Sequence, residues 1–425
     1  MITGKNLIGN NFIEDKDSEI FYTINALDES ILPQKYFTAS ISQVDKAAEL
    51  ADKAFSVFSL KSTKERAKFL IKIISEINKI KKEIIVQYKL ESGFPEGRAE
   101  IEFNRTINQI NTFVNILNEG SYVKPIIKLE DANGPDLRKM FKPIGPIAVF
   151  GASNFPLAFS TAGGDTISAL AAGCPVVLKG HPFHAGTSEL VSQAINSAVL
   201  KSELPEGVFS HLQGKSHRVG EQLVSNKNIK GVGFTGSYLG GKSLYDISQK
   251  RMEPIPVFAE MGSSNPIVVL PDKLKEDENL AEQISNSILL GTGQFCTNPG
   301  LIFLSSDSDN FLEQVKKIFS NSETSSMVHP SIKENYINKI KEHENLGVKI
   351  YRSKKNNSLA SVGVITSENF LKNDFFKEEV FGPYSLIIKC KSVNQITEII
   401  NFLPGQLTGT ILGSSNDIIN NRNLV

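Results

Sequence analysis

The run Ile147-Ala-Val-Phe150-Gly-Ala-Ser-Asn154-Phe-Pro-Leu-Ala-Phe-Ser160-Thr-Ala-Gly-Gly-Asp165-Thr-Ile-Ser-Ala-Leu-Ala-Ala172-Gly-Cys-Pro-Val176-Val-Leu-Lys179 decides the fold. Continuous apolar residues at 147–150 suit a strand buried on both faces, and 176–179 repeats the pattern. Between them, residues 160–172 are rich in small side chains and stop at Gly173, which reads as a helix lying close to a sheet. The alternation continues with helices over 187–200, 219–224 and 238–248 and strands over 208–212, 231–234 and 256–260. Such spacing predicts a parallel sheet covered on both faces, with a nucleotide site at the carboxyl ends of its strands. No Gly-x-Gly-x-x-Gly follows the first strand. In Gly231-Val-Gly-Phe-Thr-Gly236 the glycines precede and flank a strand, so an ordinary Rossmann dehydrogenase is disfavoured.

Upstream, residues 1–40 alternate weakly and predict short strands and turns. From Ser42, expected to cap a helix, Val44, Ala47, Ala48, Ala51, Ala54 and Phe55 share one helical face. Residues 60–88 continue as one or two helices with Ala67, Leu70, Ile71 and Ile74 inward. Gly93-Phe-Pro95 breaks the run, and a third helix covers 96–117. Lys124-Pro-Ile-Ile-Lys-Leu129 is expected as a lone strand bridging domains or subunits, followed by the turn-rich Asp131-Ala-Asn-Gly-Pro135. Downstream, strands at 267–270, 301–304, 384–389 and 410–412 and helices at 280–290, 311–319 and 332–343 form a second α/β unit. The expected organisation is a cofactor domain of residues 1–122 and 143–259, a bridging segment at 123–142 and a catalytic domain at 260–425.

A chain of 425 residues suffices for two or three domains. The 46 basic and 46 acidic residues cancel, so nothing points to nucleic acid or an anionic membrane as partner. Cys174, Cys296 and Cys390 are too scattered for a disulfide framework, and no metal site is expected; among the histidines only His181 and His184 are closely spaced. With no secretory signal and no apolar run of membrane-spanning length, a soluble cytoplasmic protein is the expectation.

Cys296 stands in Gly291-Thr-Gly-Gln-Phe-Cys296-Thr-Asn-Pro-Gly300, a glycine-rich loop between a helical and a strand-like run. A thiolate is intrinsically nucleophilic, and a loop admits substrate. A lone cysteine is more often a buried structural residue, so the surrounding motifs decide. Phe150-Gly-Ala-Ser-Asn154-Phe-Pro, Val177-Leu-Lys179-Gly-His-Pro, Gly233-Phe-Thr-Gly-Ser237, Phe258-Ala-Glu260-Met-Gly262, Gly293-Gln-Phe-Cys296 and Glu378-Glu379-Val-Phe381-Gly-Pro383 together resemble the aldehyde dehydrogenase superfamily, in its order and approximate spacing. Ser160-Thr-Ala-Gly-Gly-Asp165, Glu260-Met-Gly-Ser-Ser-Asn265-Pro and the cysteine loop are similar to the branch containing 2-oxoglutarate semialdehyde dehydrogenases, with NADP-using long-chain aldehyde dehydrogenases in the same neighbourhood.

This resemblance implies two Rossmann-like α/β domains with parallel sheets plus a bridging strand, and NAD(P)-dependent oxidation of an aldehyde to an acid. It makes Cys296 the nucleophile, Asn154 a side-chain amide donor to the oxyanion and Glu260 the general base for the deacylating water. One oxyanion donor is typically worth ~3 kcal/mol of barrier. The family's cofactor contacts fall on Lys179 for the adenosine ribose, on Thr235, Gly236 and the N-cap Ser237 for the pyrophosphate, and on Glu379 and Phe381 for the nicotinamide riboside. Three positions after the lysine, where many NAD-preferring relatives carry an acid, stands Pro182; a 2′-phosphate meets less repulsion there, and both NADP and NAD stay open. His181 and His184 add positive charge only if protonated, and loop histidines are more often neutral. The semialdehyde branch carries two arginines on its third helix; Arg105 matches one, and Asn111 replaces the other. A dicarboxylic semialdehyde is the first expectation and a long-chain fatty aldehyde the second. Members of the family are homo-oligomers, and those of this branch run on beyond this length. An incomplete catalytic domain with an unpaired sheet edge, impaired assembly and weak activity is therefore expected. A thiol hydrolase, for which no histidine base stands out, and a catalytically silent binding protein remain as other readings.

Overall fold

The computed structural model describes residues 1–130, 134–305 and 308–424. They group into two compact units, Met1–Met261 and Gly262–Val425. The strands of the first unit are β1 (Asn6–Ile8), β2 (Asn11–Ile13), β3 (Ile20–Ile24), β4 (Ile31–Phe37), β5 (Ile126–Lys128), β6 (Leu137–Lys139), β7 (Ile147–Phe150), β8 (Val176–Lys179), β9 (Phe209–Leu212), β10 (Gly231–Thr235) and β11 (Val257–Glu260). Its helices are α1 (Ile41–Phe58), α2 (Thr63–Lys79), α3 (Lys81–Ser92), α4 (Glu96–Glu119), α5 (Gly164–Ala172), α6 (Ala185–Lys201), α7 (His217–Ser225) and α8 (Tyr238–Gln249).

The main sheet runs β11-β10-β7-β8-β9-β1-β2. The expected parallel pairing holds from β11 to β9, whereas β1 and β2 add an antiparallel edge. Alanines decide how closely α1 approaches: Ala47, Ala48 and Ala51 pack with Val219, Leu223 and Val224 of α7 and with Ala148, Val177 and Val232 of the sheet. Several expectations need correction. The first helix starts at Ile41, and the extended Ser40 takes the cap position instead of Ser42; its N–H donates to Gln43 Oε1 at 3.1 Å. Ile71 is exposed and Ile73 is buried in its place, because the inward stripe of α2 follows Phe69, Leu70, Ile73 and Ile77. Residues 160–163 form a turn before α5 begins at Gly164, closed by the Gly163 N–H on Ser160 O. The expected lone strand is half of an antiparallel hairpin, β5 with β6; residues 131–133 of the expected turn lie outside the described residues.

The second unit carries β12 (Ile267–Val269), β13 (Leu301–Leu304), β14 (Lys349–Arg352), β15 (Ser361–Thr366), β16 (Tyr384–Lys389) and β17 (Thr410–Leu412), in the order β14-β15-β16-β13-β12-β17. All neighbours are parallel except β14 with β15. Its helices include α9 (Pro271–Glu276), α10 (Leu280–Leu289), α11 (Asp309–Asn321) and α12 (Pro330–Asn345). The two-residue period of a strand sends its side chains alternately to two cores. Val268, Leu301 and Phe303 meet Tyr336 and Ile340 of α12 on one face. Val269, Ile302 and Leu304 meet Ile284 of α10 and Phe311, Val315 and Phe319 of α11 on the other. Strands buried on both sides explain the unbroken apolar runs. Among the described residues, no helix is long and apolar enough to cross a membrane, and no cluster of His, Cys, Asp and Glu has the makings of a metal site.

Candidate active site

In the second unit Cys296 is partly exposed rather than sealed in the core, unlike the buried Cys174 and Cys390. Its loop is built from unusual backbone. Gly291, Thr292 and Gly293 are all left-handed, with φ of 56°, 59° and 63°. A β-branched residue there is disfavoured, and Thr292 is held by the Ser325 N–H, which donates to its Oγ1 at 3.1 Å. Gln294 is fully buried, and its Oε1 accepts from Val328 N–H at 2.8 Å. Asn265, itself at φ 45°, donates through Nδ2 to Cys296 O at 2.8 Å and Asn298 O at 2.9 Å. Asn298 in turn donates to Gly382 O at 3.2 Å. The cysteine loop is thus stitched to the segment just before β12 and to the segment carrying Glu379 and Phe381. Sequence reasoning quoted Asn265 inside a motif but gave it no role; a polar residue between a serine pair and a strand carries no signal of its own.

Glu379 is partly buried, and burial raises its carboxyl to about 7 despite the opposing charge of Lys339. A Cβ added to Gly262 would stand 2.2 Å from Glu379 Oε2, so that glycine makes room for the carboxylate. Phe381 is partly buried as well. A cavity of about 260 Å³ on this unit is lined by Asn265, Ile267, Thr297, Pro299, Thr408 and Thr410 among others. It includes none of Cys296, Glu379 and Phe381, so no substrate is assigned to it.

In the first unit the predicted residues lie at the carboxyl ends of the parallel strands. Lys179 ends β8 in register with Phe150 of β7, and Asn154, 8% exposed, lies in the loop leaving β7. Glu260 ends β11 in register with Thr235 of β10, and the Gly236 N–H donates to Glu260 O at 3.0 Å. Ser237 caps α8 by accepting the Gly240 N–H at 3.2 Å. Arg105 is exposed on α4 with its guanidinium 4.7 Å from the Phe159 ring centre and 5.9 Å from that of Phe155, against the loop that carries Asn154. His184 is fully buried, its Nε2 2.8 Å from Ala152 O, and burial pushes its ring down to about 4. It is therefore neutral at working pH and adds no charge for a phosphate.

These features fit a dinucleotide. A twelve-residue helix with a serine cap leaves first-turn N–H groups for an anion. Lys179 is pushed down to about 8 by burial, a cost that a neighbouring anion or ribose diol relieves.

The sequence profile of the aldehyde dehydrogenase family matches residues 12–421. The chain belongs to the aldehyde dehydrogenase family. It is 38% identical over 437 aligned positions to "Alpha-ketoglutaric semialdehyde dehydrogenase 2" of Azospirillum brasilense, covering 98% of this chain and 82% of that protein. It is 36% identical to the "Alpha-ketoglutaric semialdehyde dehydrogenase" of Acinetobacter baylyi, covering 93% and 78%. Among solved structures, a NAD-dependent benzaldehyde dehydrogenase from Corynebacterium glutamicum superposes with a TM-score of 0.85 at 22% identity, covering 99% of this chain and 91% of that one. PnpE in complex with nicotinamide adenine dinucleotide does so at 0.85 and 20%, covering 100% and 87%. As an aldehyde dehydrogenase the chain is an NAD(P)-dependent oxidoreductase acting on an aldehyde.

Proposed function

We propose that this aldehyde dehydrogenase oxidises 2-oxoglutarate semialdehyde, or a closely similar semialdehyde with a distal carboxylate, to the acid. The observation that carries the reading is the likeness to two semialdehyde dehydrogenases over nearly the whole chain, at 36–38% identity. Cys296 gives its thiol proton to solvent water and attacks the aldehyde carbonyl as the thiolate. Asn154 donates its side-chain amide to the oxyanion of the thiohemiacetal. When bound, a nicotinamide would supply the acceptor for the hydride that leaves the thiohemiacetal carbon. Glu260 takes a proton from the water that attacks the resulting thioester, and the thiol of Cys296 is released with the carboxylic acid. Lys179, Thr235, Gly236 and Ser237 hold the adenosine ribose and pyrophosphate, and Glu379 and Phe381 the nicotinamide riboside. Arg105 is the proposed partner of the distal carboxylate; its exposed guanidinium supports this. The expected result is a higher kcat/KM for the semialdehyde than for hexanal; the reverse order replaces it with a fatty aldehyde. With Pro182 in place of an acid, NADP is expected to serve at least as well as NAD; a preference for NAD above about tenfold, some 1.4 kcal/mol, overturns that part.

Glu379 supplies a pH test. A ribose hydroxyl donates more strongly to a carboxylate than to a neutral carboxyl, so protonation of a carboxyl raised to about 7 weakens the bond. Cofactor Kd, followed by calorimetry from pH 6 to 8, is expected to rise as pH falls through 7. Glu379→Gln is expected to flatten the profile. A wild-type Kd that does not change over this range removes Glu379 from the cofactor site.

The protein is further proposed to be cytoplasmic and homo-oligomeric. The β5–β6 hairpin supports an assembly role, since Ile126, Ile127 and Leu137 on it are more than half exposed. Light scattering of Ile127→Asp tests it: a smaller species than wild type is expected.

A further inference from the structure

The loop that leaves β7 with Asn154 is held from two directions. On the sheet side, the Ala152 N–H donates to Phe159 O at 2.9 Å and Ala152 O meets His184 Nε2. On the other side, α4 reaches in with two charged residues that carry no motif in the sequence. Arg98 donates through Nη2 to Asn154 O at 2.9 Å, with its guanidinium 3.4 Å above the Phe94 ring centre. Glu102 is 2% exposed, and its Oε1 accepts from both Leu157 N–H at 2.8 Å and Ala158 N–H at 3.0 Å. Its Oε2 accepts from Tyr88 OH at 2.6 Å.

A buried carboxylate is costly unless its oxygens are satisfied and a counter-charge is near. Burial raises the Glu102 carboxyl above its usual range; three donors, two of them from one loop, and the Arg98 charge oppose that rise. What this arrangement adds is a fixed backbone at Asn154 itself and at the residues three and four after it. An oxyanion donor is effective only when pre-positioned, and a displacement of about 1 Å costs on the order of 100-fold in rate.

We propose that Glu102 and Arg98 are positioning residues for the Asn154 amide, a second layer that fixes the oxyanion donor from α4. The proposal rests on the reading of Asn154 as that donor. Each residue acts through Asn154.

The experiment is a double-mutant cycle of Glu102→Ala and Arg98→Lys against Asn154→Ala in the full chain, reading kcat and KM for the aldehyde. Alkylation of Cys296 and thermal melting serve as controls for an intact second unit and fold. Each of Glu102→Ala and Arg98→Lys is expected to lower kcat by about 10- to 100-fold with little change in KM, and to lower it no further in the Asn154→Ala background. Glu102→Gln keeps an acceptor oxygen for the two loop N–H groups and is expected to restore most of kcat. If Glu102→Ala does not fold, Arg98→Lys, which leaves no large cavity, still decides. Equal losses with and without Asn154, or losses confined to KM, overturn the positioning role while leaving Asn154 as donor. A normal kcat in Asn154→Ala alone overturns the donor reading and the proposal with it.

Discussion

Cys296→Ala is expected to abolish aldehyde oxidation, with a fall in kcat on the order of 10⁴-fold or more, and to leave cofactor binding intact. Removing a nucleophile takes away the covalent route itself, and losses of this size accompany such changes elsewhere. The loop around it is held by hydrogen bonds of the Asn265, Gln294 and Asn298 side chains to backbone groups, which the change leaves in place. Glu260→Gln makes the informative contrast. If Glu260 serves only the water step, this variant forms the acyl enzyme normally and stops there. Rapid mixing with cofactor and aldehyde is then expected to give one equivalent of reduced cofactor per site, followed by slow turnover. Cys296→Ala is expected to give none. Comparable steady turnover in Cys296→Ala and wild type would remove the thiol from the mechanism. The contrast also separates the dehydrogenase from a thiol hydrolase, which releases acid from a thioester with no reduced cofactor.

Parallel strands such as Ile147–Phe150 and Leu301–Leu304 were legible because burial on both faces demands unbroken apolar runs. What escaped was structure specified by other means. Strand β14, Lys-Ile-Tyr-Arg at the sheet edge, and β15, Ser361–Thr366, do not show such a run; pairing with β16 makes a strand of β15. The hairpin partner β6, Leu-Arg-Lys, is polar and exposed and is defined by its register with β5. The proposed site residues stand out in the sequence as motif positions, because each motif packs several polar or glycine residues into a short stretch. The supports do not. Glu102 is 55 residues from Leu157 in sequence, and a buried glutamate amid a lysine- and glutamate-rich helical region carries the same letter as a solvated one. Thr292 is hidden for another reason: nothing about a threonine between two glycines says that all three adopt a left-handed backbone.

That backbone makes Gly293→Ala the second change with a large expected effect. Two costs arise together. A left-handed conformation at φ 63° costs a residue with a Cβ about 1–2 kcal/mol. The new Cβ would also stand 2.1 Å from Gly382 O and 2.5 Å from Pro383 N. These are backbone atoms, so no rotamer change relieves the overlap, and overpacking of this kind costs typically about 1–3 kcal/mol. Either the cysteine loop or the Glu379–Pro383 segment must move, breaking the Asn298 bond to Gly382 O that joins them. A fall in Tm of roughly 5–15 °C is expected for the transition of the second unit, taking about 2–4 °C per kcal/mol. Activity should fall by about 100-fold if the loop moves by about 1 Å. Gly347→Ala isolates the first cost: its φ is 89°, and nothing lies within 4 Å of the added Cβ. It should lower Tm modestly and leave kcat alone. If Gly293→Ala melts and turns over like Gly347→Ala, the close approach between the cysteine loop and Gly382 has no part in holding the nucleophile. If it loses activity far beyond its loss of stability, the contact at Gly293 is what keeps Cys296 in line with its chemistry.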